Sequence, residues 1–251
     1  MIDLGGKTAL ITGGARGLGR AIAGTMERAG ARICVLDQPS VLAQATLPET
    51  WRTIALDLTA PDAQQVLNDA LVQIGTLDIL IANAGRVPDW RRIGDLDMAE
   101  WDAVFALNVR GVAMMLSAAA RYLAATRGAV VVMASINGYR AHPDQALYTA
   151  SKHAVLGLTR AAALDMGRDG VRVNALAPGP ILTDALRGRV EQRATAGGPS
   201  VDAAIGAMQA ETALGRLASE ADIANAACFL ASPLAAAITG VCLPVEAGLT
   251  G

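Results

Sequence analysis

Along the chain, short unbroken apolar runs alternate with longer stretches in which apolar residues return every three or four positions. Residues 8–12, 32–36, 53–56, 77–82, 129–134, 172–177 and 241–245 are of the first kind, rich in Val, Ile, Leu and Ala with no regular polar alternation. Such runs predict strands covered on both faces. Residues 17–29, 62–74, 97–126, 146–168 and 219–230 carry the helical period. Asp97 with Glu100, and Ser219 with Asp222, place a capping oxygen three residues before an acid, a helix-start signal. This alternation predicts parallel strands joined by right-handed crossovers, hence an α/β fold: a Rossmann-type, doubly wound parallel sheet of seven strands. Residues 181–215 break the rhythm, with Gly197, Gly198 and Pro199 in their middle. They predict a helical lid of two short helices on a single domain spanning 1–251.

Composition narrows the function classes. Hydrophobic residues make up 53% but aromatics only 3%, so the core is expected to be Ala, Val, Leu and Ile. A net charge of -2 offers no general attraction for nucleic acid or an anionic membrane. Cys34, Cys228 and Cys242 lie in apolar runs without metal-type spacing, and His142 and His153 are the sole histidines; no metal site is expected. No uncharged apolar stretch reaches membrane-spanning length, and no basic-then-apolar leader precedes the first strand. A cytoplasmic enzyme acting on a small molecule is the expectation.

Two segments suggest chemistry. Thr12-Gly13-Gly14-Ala15-Arg16-Gly17-Leu18-Gly19 leads directly from the first strand into a helix. Glycines there allow a sharp turn and close approach to a pyrophosphate at the helix N-terminus, although the spacing G-x-x-x-G-x-G differs from the G-x-G-x-x-G fingerprint. Asp37 ends the second strand about 20 residues on, where an acid accepts from a ribose hydroxyl and repels a 2′-phosphate. That favours NAD over NADP. Arg16 either meets such a phosphate or lies exposed beside the diphosphate. Further along, Tyr148 and Lys152 sit four apart on one helical face, so an ammonium beside the phenol is expected to lower the tyrosine pKa. Ser135 follows the fifth strand, and Asn108 is a polar residue on an apolar helical face.

Together these stretches resemble the short-chain dehydrogenase/reductase family. Those that carry the resemblance are the Thr12–Gly19 turn, Asp57, Asn83-Ala84-Gly85, Asn108, Ser135, Tyr148 with Lys152, Asn174, and Pro178-Gly179 with Thr183. It implies that Tyr148 is the general acid or base and that Ser135 holds the reacting oxygen. Lys152 would tune Tyr148 and hold the nicotinamide ribose, and Asn108 would anchor a water leading from Lys152 to solvent. Cofactor contacts would come from Gly13, Arg16, Gly17, Leu18, Gly19, Asp37, Asp57, Leu58, Asn83, Ala84, Gly85, Pro178 and Gly179. Ile181 and Thr183 would hold the carboxamide. Substrate would be met by Ser135, Asn137, Gln145 and Tyr148, with His142 as a loop residue or partner contact and Trp90 as a lid-facing wall or a surface-packed aromatic. One departure is Val245-Glu246-Ala247-Gly248, where many relatives carry V-D-G-G.

The family pattern implies an NAD(H)-dependent oxidoreductase acting on a secondary alcohol or ketone, assembled as a homo-oligomer, a tetramer. A 3-oxoacyl-carrier-protein reductase using NADPH is the alternative within the enzyme class, resting on Gln145. A non-catalytic NAD-binding redox sensor is the alternative outside it. Arg86, Arg91 and Arg92 in one loop, with Arg187, Arg189 and Arg193 in the lid, suggest anion recognition; equal numbers of acids in the same segments favour a solvated mixed-charge face.

Overall fold

The computed structural model describes residues 2–195 and 197–249, with the backbone alone at 184 and 185. It turns the apolar runs into β1 (Thr8–Thr12), β2 (Arg32–Asp37), β3 (Arg52–Ala55), β4 (Ile79–Ala82), β5 (Ala129–Met133), β6 (Arg172–Pro178) and β7 (Cys242–Val245). Between them run α1 (Gly17–Arg28), α2 (Pro39–Leu42), α3 (Ala63–Ile74), α4 (Met98–Phe105), α5 (Val112–Thr126), α6 (Ala146–Gly167), α7 (Asp184–Thr195), α8 (Val201–Ala210) and α9 (Glu220–Ala231). The strands form one sheet in the order β3-β2-β1-β4-β5-β6-β7, and every pairing is parallel. The order reverses between β1 and β4, where open α/β sheets place their ligand crevice, at the carboxyl ends of the strands.

Continuous apolarity is explained by burial on both faces: β1, β4 and β5 are buried at every residue. Leu10, Leu80, Val130 and Val132 face a layer with Leu67 and Leu71 of α3, Met115 and Ala119 of α5, and Val155 of α6. Ile11, Ile79, Ile81 and Val131 face the opposite layer, with Ile22 and Met26 of α1 and Ile223, Ala224 and Ala227 of α9. Ala23 of α1 and Ala224 and Ala227 of α9 are buried together in this layer. Both sequence-read caps form: Asp97 accepts from Ala99 and Glu100 amides, and Ser219 with Asp222 makes a full capping box.

Two features differ from the linear pattern. The run expected as one helix over 97–126 is interrupted by a π-helical stretch, Ala106–Gly111, centred on Asn108. By length and hydropathy Met98–Thr126 resembles a membrane span, but its apolar residues Met115, Ala119 and Leu123 pack into the sheet layer. In the C-terminal turn, Ala247 takes φ of 59°, a left-handed conformation costing a non-glycine residue about 1–2 kcal/mol. Its carbonyl accepts from the Leu214 amide at 3.1 Å, which holds the turn in place. Ala247→Gly is therefore expected to leave the thermal midpoint unchanged or raise it by up to about 3 °C, because glycine's extra unfolded-state entropy offsets part of the relief. A lower midpoint in a thermal melt would count against strain at this position.

Candidate active site

The turn after β1 is built by close contacts. A Cβ on Gly19 would lie 2.1 Å from the Gly13 carbonyl oxygen, one on Gly14 would lie 2.9 Å from Val35, and one on Gly13 would lie 3.0 Å from Ala84 Cα. Gly17 is different: φ is +50° and no atom lies within 4 Å of its missing side chain. Three glycines thus serve packing, whereas Gly17 lies on open surface at the start of α1. No side chain caps α1, so the amides of its first turn remain open to an anion. Arg16, the residue before the helix, is exposed.

Asp37 ends β2 beside this turn. Its Oδ2 accepts from the Ala15 amide at 3.0 Å and its Oδ1 from the Gln38 amide at 2.9 Å, which orients the carboxylate and leaves lone pairs for further donors. Asp57 accepts from Thr59 and from Gln38 Nε2, and the Thr59 hydrogen bonds hold its carboxyl below the usual range. Leu58, expected as a cofactor contact, has its side chain buried in the α3–α5 layer. Asn83 acts on the turn itself, its Nδ2 donating to the carbonyls of Thr12 and Gly13. Thr12, whose hydroxyl accepts from the Asn83 and Ala84 amides at 3.0 and 2.9 Å, was legible only as part of the turn. Its role as a staple between β1 and β4 needed the strand pairing.

The catalytic candidates converge beyond β5. Ser135 follows that strand, its hydroxyl near enough to the Tyr148 phenol to favour the phenolate. Asn137, expected to face substrate, is instead buried behind Ser135: its amide donates to Ser135 Oγ at 3.3 Å, and its Nδ2 donates to Gln145 Oε1 and Thr149 Oγ1. It positions Ser135 and Gln145. Gln145, Tyr148 and Trp90 border one narrow cleft. His142 lines a separate, wider cleft with Arg91, Arg92 and His153, away from Tyr148.

Lys152 is 5% exposed and donates to the Met133 carbonyl at 2.7 Å. Its Nζ lies 5.7 Å from the centre of the Tyr148 ring. Burial pushes Lys152 down to about 8 and pushes the Tyr148 phenol up, opposed by the Ser135 hydrogen bond and the charge of Arg189. The sequence assigned the lowering influence to Lys152. In the folded chain Ser135 and Arg189 act in that direction, and the Lys152 ammonium, held by the Met133 carbonyl, stays within reach of the ring. Asn108, 1% exposed, accepts from the Arg86 amide at 2.8 Å and donates to the Arg86 carbonyl at 2.9 Å, with a longer contact to Ser151 Oγ at 3.4 Å. Its side chain clamps the loop after β4 onto the π-helical turn. Gly85 lies in this gap, where a Cβ would be 3.4 Å from Asn108 Oδ1 and 3.9 Å from Lys152 Nζ.

Past β6, Gly179 lets the chain cross Glu246, whose Cβ would be 2.6 Å from a side chain at this position. Ile181 is buried, and the Thr183 hydroxyl accepts from the Leu186 amide at 3.3 Å at the start of α7. No group of three or more His, Cys, Asp or Glu suited to a metal occurs among the described residues.

Residues 13–250 match the family model described as enoyl-(acyl carrier protein) reductase. The chain is 34% identical to the cis-4-hydroxycyclohexanecarboxylate dehydrogenase of Sinomonas cyclohexanicum, over 97% of this chain and 96% of that protein. It is 31% identical to a 3-oxoacyl-[acyl-carrier-protein] reductase of Staphylococcus aureus, over 97% and 98%. Among solved structures, an NAD+-bound xylitol dehydrogenase superposes with a TM-score of 0.89 at 28% identity, covering 97% of this chain and 99% of that one. A parallel sheet with its glycine turn at the switch point, and Ser135, Tyr148 and Lys152 gathered past β5, agree with these matches along the whole chain: it belongs to the short-chain dehydrogenase/reductase family.

Proposed function

We propose that the protein is an NAD(H)-dependent oxidoreductase that moves a hydride between nicotinamide and a secondary alcohol or ketone, within the classes of sugars, polyols and cyclic alcohols. The observation that carries this reading is the gathering of the Ser135 hydroxyl, the Tyr148 phenol and the buried Lys152 ammonium, at the same strand ends as the open helix terminus of α1 and Asp37. The relatives named above supply the substrate classes: one is named for a hydroxylated ring, another for a polyol.

The residues fit a dinucleotide. Gly17 and the uncapped amides of α1 would meet the diphosphate, Asp37 the adenosine ribose, and Lys152 with Tyr148 the nicotinamide side. The bound cofactor donates or accepts the hydride. Tyr148 holds the proton at its Oη, giving it to the carbonyl oxygen in reduction and taking it from the hydroxyl in oxidation. Ser135 donates to that same oxygen as negative charge develops. Asn137 keeps Ser135 aimed, and Asn108 keeps the loop after β4 against the site. Residues 181–215 would cover the cleft as a lid over one catalytic domain. Three free thiols suit a cytoplasmic setting, and a homotetramer follows the family pattern.

Asp37 makes the cofactor choice testable. Its carboxylate repels a 2′-phosphate, so wild-type protein assayed at alkaline pH over a panel of secondary alcohols is expected to reduce NAD+ far better than NADP+. Asp37→Ala is expected to shrink that preference by about tenfold or more, the scale of one close charge interaction. An initial preference for NADP+ would remove the assignment. The 31% identity to a 3-oxoacyl-carrier-protein reductase supports a second reading, and rapid NADPH-dependent reduction of an acetoacetyl thioester would establish it in place of the first.

A further inference from the structure

The lid helix α7 brings one unusual cation to the site. Arg189 and Arg193 are four residues apart and so share a face of α7. The Arg193 guanidinium carbon lies 4.4 Å over the Trp90 ring, which holds that face against the loop bordering the Tyr148 cleft. One turn earlier, Arg189 reaches close enough for its charge to act on the Tyr148 phenol. Its Nε is buried with no hydrogen-bond partner, and no acid forms an ion pair with it among the described residues. The other arginines near the mouth are placed differently. Arg91 is satisfied by Asp89 and Glu100, and Arg187 is exposed.

A buried guanidinium donor without an acceptor is unfavourable unless something supplies one. Tyr148 cannot serve as the counter-charge at neutral pH, because burial keeps its phenol protonated. We propose that Arg189 anchors an anionic group of the substrate, and that the protein acts on secondary alcohols or ketones bearing a carboxylate. A planar guanidinium matches a single carboxylate in a two-point contact. The surrounding arginines are already balanced or exposed, so a monoanion is neutralised by Arg189 alone, whereas a dianionic phosphate would leave excess negative charge. This substrate assignment rests on the dehydrogenase reading above; the anchoring of an anion by Arg189 does not.

The test compares 4-hydroxycyclohexanecarboxylate and 3-hydroxybutyrate, each against its own carboxamide, which keeps the size and removes the charge. Calorimetric affinity is measured with and without NAD+, and kcat/KM is measured with NAD+. Wild-type protein is expected to favour at least one acid over its amide by on the order of 10- to 100-fold, the value of a charge-assisted hydrogen bond. Arg189→Met is expected to bring that ratio close to one, and Arg189→Lys to retain part of it. The proposal is overturned if the wild type binds acid and amide alike, or binds neither, or if the preference survives in Arg189→Met. Acid binding that depends on Arg189, without hydride transfer to NAD+ from any of the four compounds, would remove the dehydrogenase reading and leave the anion anchor standing.

Discussion

Tyr148→Phe is expected to lower kcat/KM for alcohol oxidation by roughly 10³-fold, within the range that positioned acid–base groups contribute. The substitution removes one hydroxyl beside Ser135, so the thermal midpoint should move by only a few degrees; that separates lost chemistry from lost fold. The pH dependence follows from the direction of the Tyr148 shift. Oxidation needs the phenolate, and burial holds the phenol above its ordinary range, so oxidation should climb with pH well past neutrality. Reduction needs the phenol and should fall over the same alkaline interval. Ser135 opposes the upward shift by hydrogen-bonding the phenol, so Ser135→Ala should move the oxidation limb to still higher pH. Steady-state profiles in both directions check this. A Tyr148→Phe protein that kept its physiological role while still binding NAD would point instead to a sensor without catalysis.

Lys152→Met is expected to abolish turnover and at the same time stabilise the ligand-free fold. Burial lowers Lys152 from 10.5 to about 8. The unfolded chain therefore keeps this proton up to about pH 10.5, while the native chain releases it near 8. Between those values the unfolded state binds more protons, so stability rises with pH across that window. Below pH 8 both states are protonated and the destabilisation is at its full size, about 3 kcal/mol. Methionine fills similar volume without the charge. It also loses the 2.7 Å bond to the Met133 carbonyl, worth about 1.5–3 kcal/mol for a charged donor. A net gain of about 1 kcal/mol is expected at pH 7, or about 2–4 °C for a chain of this size. The gain should shrink as pH rises from 8 toward 10. A variant less stable than wild type at pH 7 would mean that the Met133 bond outweighs desolvation.

Most of the fold was legible because its signals are local. The central strands β1, β4 and β5 run almost continuously apolar, since helices cover both faces, and the caps at Asp97 and Ser219 need only residues within the first turn. Predicted and observed elements agree to within a residue or two at nearly every boundary. The π-helical turn at Asn108 was not legible, because it depends on Asn108 gripping the Arg86 backbone 22 positions away. Nor was α2, four residues between β2 and β3 with no buried residue to give it a period.

At the site, residue identities were readable and their division of labour was not. Asn137 looked like a substrate contact from its place between Ser135 and Tyr148; packing turned it inward to brace both Ser135 and Gln145. Leu58 lies beside Asp57 in sequence but points into the core. Counting charges made the lid and loop arginines an evenly balanced surface. Burial singled out Arg189: Arg91 found its acids, the other loop and lid arginines are exposed, and Arg189 keeps a buried donor without a partner.

By itself the sequence determined the doubly wound parallel sheet, the glycine turn with its NAD-favouring acid, and the presence of Ser135, Tyr148 and Lys152. All of these rest on period, spacing and residue type within short windows. Only the tertiary structure decided which charges act on the Tyr148 phenol, since burial and distance exist only once β5, α6 and α7 are packed together. There the ammonium four residues away is held by a strand carbonyl beside the ring, and a guanidinium 41 positions along the chain adds its charge.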